Sequence, residues 1–377
     1  MKRAGLLLFF TFYLPPFSFH LSSLSADSGA TSANFLQENL SARQAAMGGV
    51  FTALNDDSGS LQTNPAGLSL LGRPEMNLSY ASMPDQSSYA LSAYALPVKS
   101  NPSFKLAFGA GLNYYSAGNI DVNFLDGTTR SFKAETGYSG SLALSAKVRK
   151  FIALGISPKF VRSTLVEQFS AQAFAADLGV MVFPFPTLLK DRLVLGAAIQ
   201  NLGTKMTYKT ESRDLPRVDS LGASLRLWDA RPDYGSILGS LQAERSLGEN
   251  MRYRFGGEYV FGGKDDERSI ALRGGTRIQF EGQNYGFGVG LREKNFELNY
   301  AFVNGVDLES THRLTLIFHF GKYRPERGAS KEETLDFEKE MKPEETQLIR
   351  PPSRKSPSMM GEEKGQTEYQ FMKDLKK

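Results

Sequence analysis

The chain has 377 residues, a net charge of +4 from 44 basic and 40 acidic side chains, and no cysteine. The missing cysteines exclude disulfides, thiolate catalysis and cysteine-based metal sites, and a small charge interleaved with acids gives no reason to expect a nucleic-acid partner. The mean hydropathy is negative, and past the first residues no apolar run approaches the ~20 residues a membrane helix needs, so a membrane-spanning reading has to use strands.

The N-terminus begins with Lys2 and Arg3, an apolar run from Leu6 to Leu14, Pro15-Pro16, and Leu24-Ser25-Ala26 before Asp27. This charged, apolar and small-residue order is that of a secretory signal over 1–26, with cleavage expected after Ala26. Residues 27–73 follow as a Gly-rich, Asn-Pro-containing leader, expected to act as a hatch. Met47-Gly48-Gly49 lets the backbone approach a barrel wall closely, and Asn64-Pro65-Ala66-Gly67 joins a fixed φ to a permissive one in a tight turn, with Asn64 able to form an Asx turn. Such a turn serves equally as a gate or as a structural hinge.

From Pro74 to Phe320 the sequence breaks into fourteen segments of alternating polarity, punctuated by Gly, Asn, Asp and Pro. They span Pro74–Ser82, Ser87–Leu96, Phe104–Tyr115, Thr136–Lys147, Phe151–Ser163, Ser170–Phe183, Asp191–Leu202, Pro216–Trp228, Ser236–Leu247, Met251–Gly262, Glu267–Gln279, Gln283–Arg292, Asn295–Val303 and Thr311–Phe320. Segments of roughly ten residues suit an outer-membrane barrel better than a soluble sandwich, whose strands run nearer five or six. An even number places both barrel ends on the periplasmic side. Leu314, Leu316, Phe318 and Phe320 alternate with Arg313, Thr315, Ile317 and His319; Tyr253, Phe255, Tyr259 and Phe261 alternate with Arg252, Arg254 and Glu258. With the apolar set facing lipid, the lumen receives Lys105, Arg226, Arg252, Arg254, Glu258, Arg273, Arg277, Glu297, Arg313 and His319. These side chains make either a polar conduit with a cationic surface or a network of Arg-carboxylate pairs that packs the interior and holds the hatch. The longest connection, Ser116 to Glu135, carries Asp126-Gly127, a turn pair suited to a small hairpin.

After Phe320 the character changes. Lys322 to Lys377 holds 13 Lys or Arg, 12 Asp or Glu and Pro351-Pro352, a composition without apolar content for a core and expected to be largely disordered. Ser330 and Glu333 form a capping-box pattern opening a short helix over Lys331 to Met341, and Tyr369, Met372 and Leu375 recur at helical spacing. The tail is read as periplasmic, either solvated or docking a partner there.

The segment F-L-Q-E-N-L-S-A-R-Q-A-A-M-G-G-V-F-T-A-L-N-D-D-S-G-S-L-Q-T-N-P-A-G-L, Phe35 to Leu68, resembles the N-terminal region of the PorV/PorQ family of outer-membrane proteins, relatives of the FadL-type fatty-acid channels. Ala175 to Val180, Ala197 to Gly203 and Thr311 to Leu316 agree with it more weakly. The resemblance implies an all-β fold, a 14-stranded antiparallel transmembrane β-barrel at 74–321 with an N-terminal hatch carrying the Asn-Pro-Ala motif. It also implies support of secretion through protein partners met by loops or tail. The FadL relationship implies instead a channel for fatty acids or other small hydrophobic cargo; a plain structural barrel or tether is the third reading. The charged lumen departs from an apolar FadL-type pocket, and the closing aromatic, Phe320, lies inside the chain rather than at its end.

Catalysis is not expected. After signal removal His312 and His319 are the remaining histidines, seven apart on one strand and therefore on opposite faces. The sequence shows no metal-ligand cluster, phosphate loop or cofactor motif, so outer-membrane lipids and a hydrophobic solute or a protein are the partners expected.

Overall fold

A computed structural model describes residues 31–321 apart from 39, 55–56, 84–85, 102, 185, 187–190, 228–234, 263–267, 279–282 and 306–309. The expected signal at 1–26 and the tail at 322–377, with its two helical islands, lie outside the described residues.

Fourteen strands close a single antiparallel barrel. In chain order they are β1 (Glu75–Ser82), β2 (Ser88–Ser100), β3 (Phe104–Ser116), β6 (Glu135–Val148), β7 (Ile152–Leu165), β8 (Phe169–Val182) and β9 (Leu193–Gly203), then β12 (Val218–Arg226), β13 (Ser236–Ser246), β14 (Arg252–Phe261), β15 (Arg268–Ile278), β16 (Gln283–Glu293), β17 (Phe296–Gly305) and β18 (Thr311–His319). Two small ribbons, β4 (Asn119–Asn123) with β5 (Thr129–Lys133) and β10 (Met206–Tyr208) with β11 (Glu211–Arg213), interrupt the count as separate hairpins. Each of the fourteen expected segments holds one barrel strand. The seam is β1 on β18, with Glu75 opposite His319 and Ser82 opposite His312. Closure leaves the barrel sheet itself without an edge strand.

The expected Asp126-Gly127 turn caps the β4–β5 hairpin: Gly127 has φ 78°, and the Asp126 carboxylate accepts from the Thr128 amide at 2.9 Å and its hydroxyl at 2.6 Å. The β10–β11 ribbon, in the connection between β9 and β12, is an addition to the expected segments. Strand β2 also runs on to Ser100, past a register shift between Pro97 and Lys99, because a bulge lets the proline sit in the ladder without donating.

The barrel is inside out relative to a soluble protein. Every barrel strand carries at least one large apolar side chain more than a third exposed on its outer face, among them Leu112, Leu142, Phe174, Leu241 and Phe287. Their alternate neighbours inside are small or polar: Ala95, Ala107, Ala153, Ser145, Ser157 and Asn299 are all buried. An apolar belt around a polar interior is stable only with hydrocarbon as its solvent.

Residues 31–73 fill that interior. Thr31 makes a parallel bridge to Asp214 at the end of the barrel bearing the two hairpins. The chain passes through the lumen and reaches β1 at the opposite end, where Phe320 donates to the Pro74 carbonyl at 2.9 Å. Its regular structure is brief: a short helix, α1 (Ala42–Ala46), and 3-10 turns at Asn34–Gln37, Ser58–Gln62 and Pro65–Leu70. So little helix is expected of a segment this rich in Gly, Ser and Asn, which favour turns and caps.

Candidate functional site: a hatch clasped to the barrel wall

At three places the hatch backbone meets the wall where the wall has no side chains. The backbone of Met47 and Gly48 lies on Gly256 of β14 and Gly275 of β15; a Cβ at Gly275 would stand 2.1 Å from the Met47 carbonyl carbon, and one at Gly256 would stand 2.4 Å from its oxygen. Gly256 and Gly275 are register partners, and Gly275 in turn faces Gly286 of β16, where a Cβ would meet the Ala45 carbonyl oxygen at 2.5 Å. On the other side of the lumen, Gly196 of β9 and Gly222 of β12 are partners beneath Thr52 and Ala53. Gly155 of β7 and Gly179 of β8 are partners beneath Asn64, Pro65 and Ala66. Three bare seats in the wall thus receive three bends of the hatch.

The reverse requirement holds at Gly48. Its φ is 70°, and a Cβ there would lie 2.7 Å from the Phe255 carbonyl and the Thr276 backbone; no other residue combines that backbone with that approach. Asn64 organises the second motif. Its carboxamide oxygen accepts from the Ala66 amide at 3.2 Å, closing the Asx turn, while its nitrogen donates to the Thr52 carbonyl at 2.7 Å. Pro65 and Gly67 complete the 3-10 turn within the buried interior, and Ala66 packs with Ala153, Met181 and Phe183. All seven motif residues, Met47, Gly48, Gly49, Asn64, Pro65, Ala66 and Gly67, therefore lie inside the barrel against the wall or its neighbouring turns.

Between the glycine seats, polar side chains of the wall hold the hatch. Arg254 donates to the Gly49 carbonyl at 3.1 Å and to Glu244 at 2.5 Å, and Arg277 donates to the Gly48 carbonyl at 3.1 Å. The Gln242 carboxamide accepts from the amides of Phe51 and Thr52 at 2.9 and 3.1 Å and from the Thr52 hydroxyl at 3.0 Å. Arg43 of α1 reaches Glu258 through two bonds of 2.8 Å, and Glu258 also accepts from Arg273 at 2.6 Å. Arg273 continues to Asn299 at 2.6 Å, Asn299 to Glu297 at 2.9 Å, and Arg292 and His319 close around Glu297. His319 lies 3.1 Å from Glu75, which accepts from the hatch amide of Ser58 at 3.0 Å. Hydrogen bonds and, at His319, close contacts of 3.1 and 3.9 Å with Glu75 and Glu297 so link one hatch segment, through five wall strands, to another. Arg313 joins the same interior by pairing with Glu38 at 3.2 Å.

Of the ten residues expected in the lumen, Arg254, Glu258, Arg273, Arg277, Glu297, Arg313 and His319 converge on this clasp. Lys105, Arg226 and Arg252 share the inward phase of their strands but stand near strand ends outside it, with Arg252 paired to Glu249 at 2.5 Å. Between the two lumen readings, conduit or Arg-carboxylate network, the described side chains form the network. Sequence reading missed Arg43, Glu244, Gln242 and Glu75. The wall residues were accessible through strand parity, since Gln242 and Glu244 alternate with exposed Leu241 on β13; Arg43 lay within the quoted motif without a partner to identify it.

A cavity of about 30 Å³ lies between hatch and wall in the hairpin-bearing half of the lumen, room for about two water molecules.

No family model and no curated protein matches this chain. Solved structures do. The fold resembles that of bacterial toluene transporters. TbuX of Ralstonia pickettii aligns with 76% of this chain and 100% of its own, at a TM-score of 0.53 and 14% identity. TodX of Pseudomonas putida aligns with 76% of this chain and 99% of its own, at a TM-score of 0.51 and 11% identity. At these identities the likeness establishes the architecture, a closed fourteen-strand antiparallel barrel.

Proposed function

We propose that this protein is an outer-membrane channel for small hydrophobic molecules, kept shut by its own N-terminal hatch. The observation that carries the reading is the manner of closure. The lumen is filled by a separate segment seated on bare glycine wall and held by discrete polar clasps, with its apolar contacts divided among several clusters, the largest of which joins Ala33, Phe35 and Leu40 to wall residues such as Tyr89 and Leu91. A barrel whose interior served only stability has no need of a plug made from another part of the chain. The likeness to toluene transporters supports the same class of cargo, and the apolar outer belt supports a membrane location.

The same reading assigns the tail at 322–377 to the periplasm, the side where an even number of strands puts both barrel ends. No catalytic role is assigned: His312 faces outward, bonded to the Tyr300 hydroxyl at 2.8 Å, and His319 faces inward among carboxylates. Secretion support, which the PorV/PorQ resemblance implies, rests on the motif at 35–68 and is the second reading.

The test is uptake into vesicles reconstituted with the full-length barrel, using toluene and benzyl alcohol as small hydrophobic probes. Entry of at least one probe above the protein-free rate is expected. Rates equal to protein-free vesicles for both would contradict the reading.

A further inference from the structure

Although the β4–β5 ribbon leaves the barrel ladder, it keeps the register of β3 and β6 beneath it. Ser116 faces Thr136 and Asn119 faces Lys133; between them the Ala117 amide donates to the Glu135 carbonyl at 2.9 Å and the Ala134 amide to the Gly118 carbonyl at 3.0 Å. With no residue gained or lost at the rim, the alternation of faces carries straight through. The lipid-facing residues of β3 and β6 are the even-numbered ones, such as Phe108, Leu112, Tyr138 and Leu142. On the ribbon that same face holds Ile120 opposite Phe132, Val122 opposite Arg130, and then Phe124. The odd-numbered face is polar, from Asn119 and Asp121 to Ser131 and Lys133.

We propose that this ribbon is a membrane-surface anchor, whose apolar face lies on the adjoining leaflet of the bilayer around the barrel while Arg130 meets lipid phosphate. The face continues the lipid-facing belt in unbroken phase, and Leu125 at the turn is fully exposed, with Ile120 and Phe124 at 41% and 39%. A patch of this kind at the end of a membrane barrel marks a surface that water is not meant to cover. A two-stranded hairpin is also marginal in water until it packs on something. At the rim the outward pair is Gly118 and Ala134, so no bulky side chain resists a lean toward the bilayer. Arg130 stacks on Phe124, 5.2 Å from the ring centre, which holds its guanidinium at the apolar face, where phosphate oxygens accept from it. The neighbouring acid, Asp126, is turned to the Thr128 amide and hydroxyl.

The chain has no cysteine, so single cysteines can report on the two faces. Leu125→Cys and, on the polar face, Ser131→Cys are each labelled with a fluorophore in the full-length barrel, reconstituted in vesicles of phosphatidylethanolamine with phosphatidylglycerol, with closure checked by heat-modifiable gel mobility. Lipids spin-labelled near the headgroup are expected to quench the label at Leu125→Cys severalfold more strongly than the one at Ser131→Cys, and aqueous iodide to do the reverse. Adding Arg130→Gln to Leu125→Cys should lower the ratio of lipid to iodide quenching by about fivefold, the worth of one basic side chain at an anionic surface. Both labels equally open to iodide would overturn the anchor, and an unchanged ratio in the Arg130→Gln variant would overturn its phosphate contact. A label at Leu125→Cys shielded from iodide and lipid quencher alike would show that a second copy of the chain covers this face instead. The proposal stands apart from the transport reading, and none of these results bears on solute uptake.

Discussion

At Gly48 two constraints that are usually separate coincide: a left-handed φ of 70° and a neighbouring strand too close for a side chain. Gly48→Ala is therefore expected to unseat this bend of the hatch at a cost of about 2 kcal/mol, combining left-handed strain with displacement of wall backbone. Limited proteolysis of the folded barrel reads this directly, with faster cleavage within residues 40–60 and unchanged barrel mobility on a gel. The two partners of the buried ion pair should behave differently. Arg43→Ala detaches α1 but leaves Glu258 with Arg273, so the wall keeps its stability. Glu258→Ala leaves two arginines facing each other in the interior, and loss of roughly 3–5 kcal/mol is expected, read as a lower unfolding temperature. Equal effects from the two substitutions would contradict the assigned geometry. At this scale the sequence was readable wherever a residue's chemistry restricts its backbone, as at Met47 to Gly49 and Asn64 to Gly67. Partnerships such as Arg43 with Glu258 were not, because they join positions 215 residues apart and depend on which wall strand faces which bend of the hatch.

Strands were the most legible elements, because lipid on one side and polar interior on the other impose a period of two that nothing along the chain disturbs. That alternation placed all ten lumen residues on the inward face of their strands. What it did not supply was the meaning of the inward glycines: an inward Gly reads as a gap in the pattern, and only the register shows that Gly155 with Gly179, Gly196 with Gly222, and Gly256 with Gly275 are paired seats. Filling one should act on the hatch and not on the strand. Gly179→Val is expected to displace Asn64, whose carboxamide oxygen occupies the Cβ position to within 1.9 Å, and to expose the hatch to protease with barrel closure retained. The β4–β5 hairpin gives the opposite case. It forms its own two-stranded sheet outside the barrel ladder, so deletion of residues 119–133 with a short Gly-Ser replacement should leave the heat-modifiable gel shift unchanged. Loss of that shift would show that the hairpin guides barrel closure.

For the whole molecule, the sequence led to a closed barrel with an internal plug, and the structure adds how the two are joined: bare wall, carbonyls held by arginine and glutamine, and a polar chain from Arg43 to Ser58 by way of Glu258, Arg273, Glu297, His319 and Glu75. That joinery is polar because an apolar plug in a polar lumen would leave wall groups without partners, whereas the clasps bond Gln242, Arg254, Glu258 and Arg277 of the wall to the hatch. On the channel reading proposed above, each clasp is exchanged for water as the plug leaves. On that reading, transport requires displacement of the hatch.

A chemical lock tests this. Thr52 of the hatch and Ser220 of the wall bring their hydroxyl oxygens within 2.9 Å, and the chain has no cysteine of its own, so Thr52→Cys with Ser220→Cys offers a single disulfide between plug and barrel. Benzyl alcohol uptake by the oxidised double variant should fall to the protein-free rate and return when the disulfide is reduced, with each single variant passing solute in both states. Undiminished uptake through the fully cross-linked protein would contradict a channel opened by its hatch.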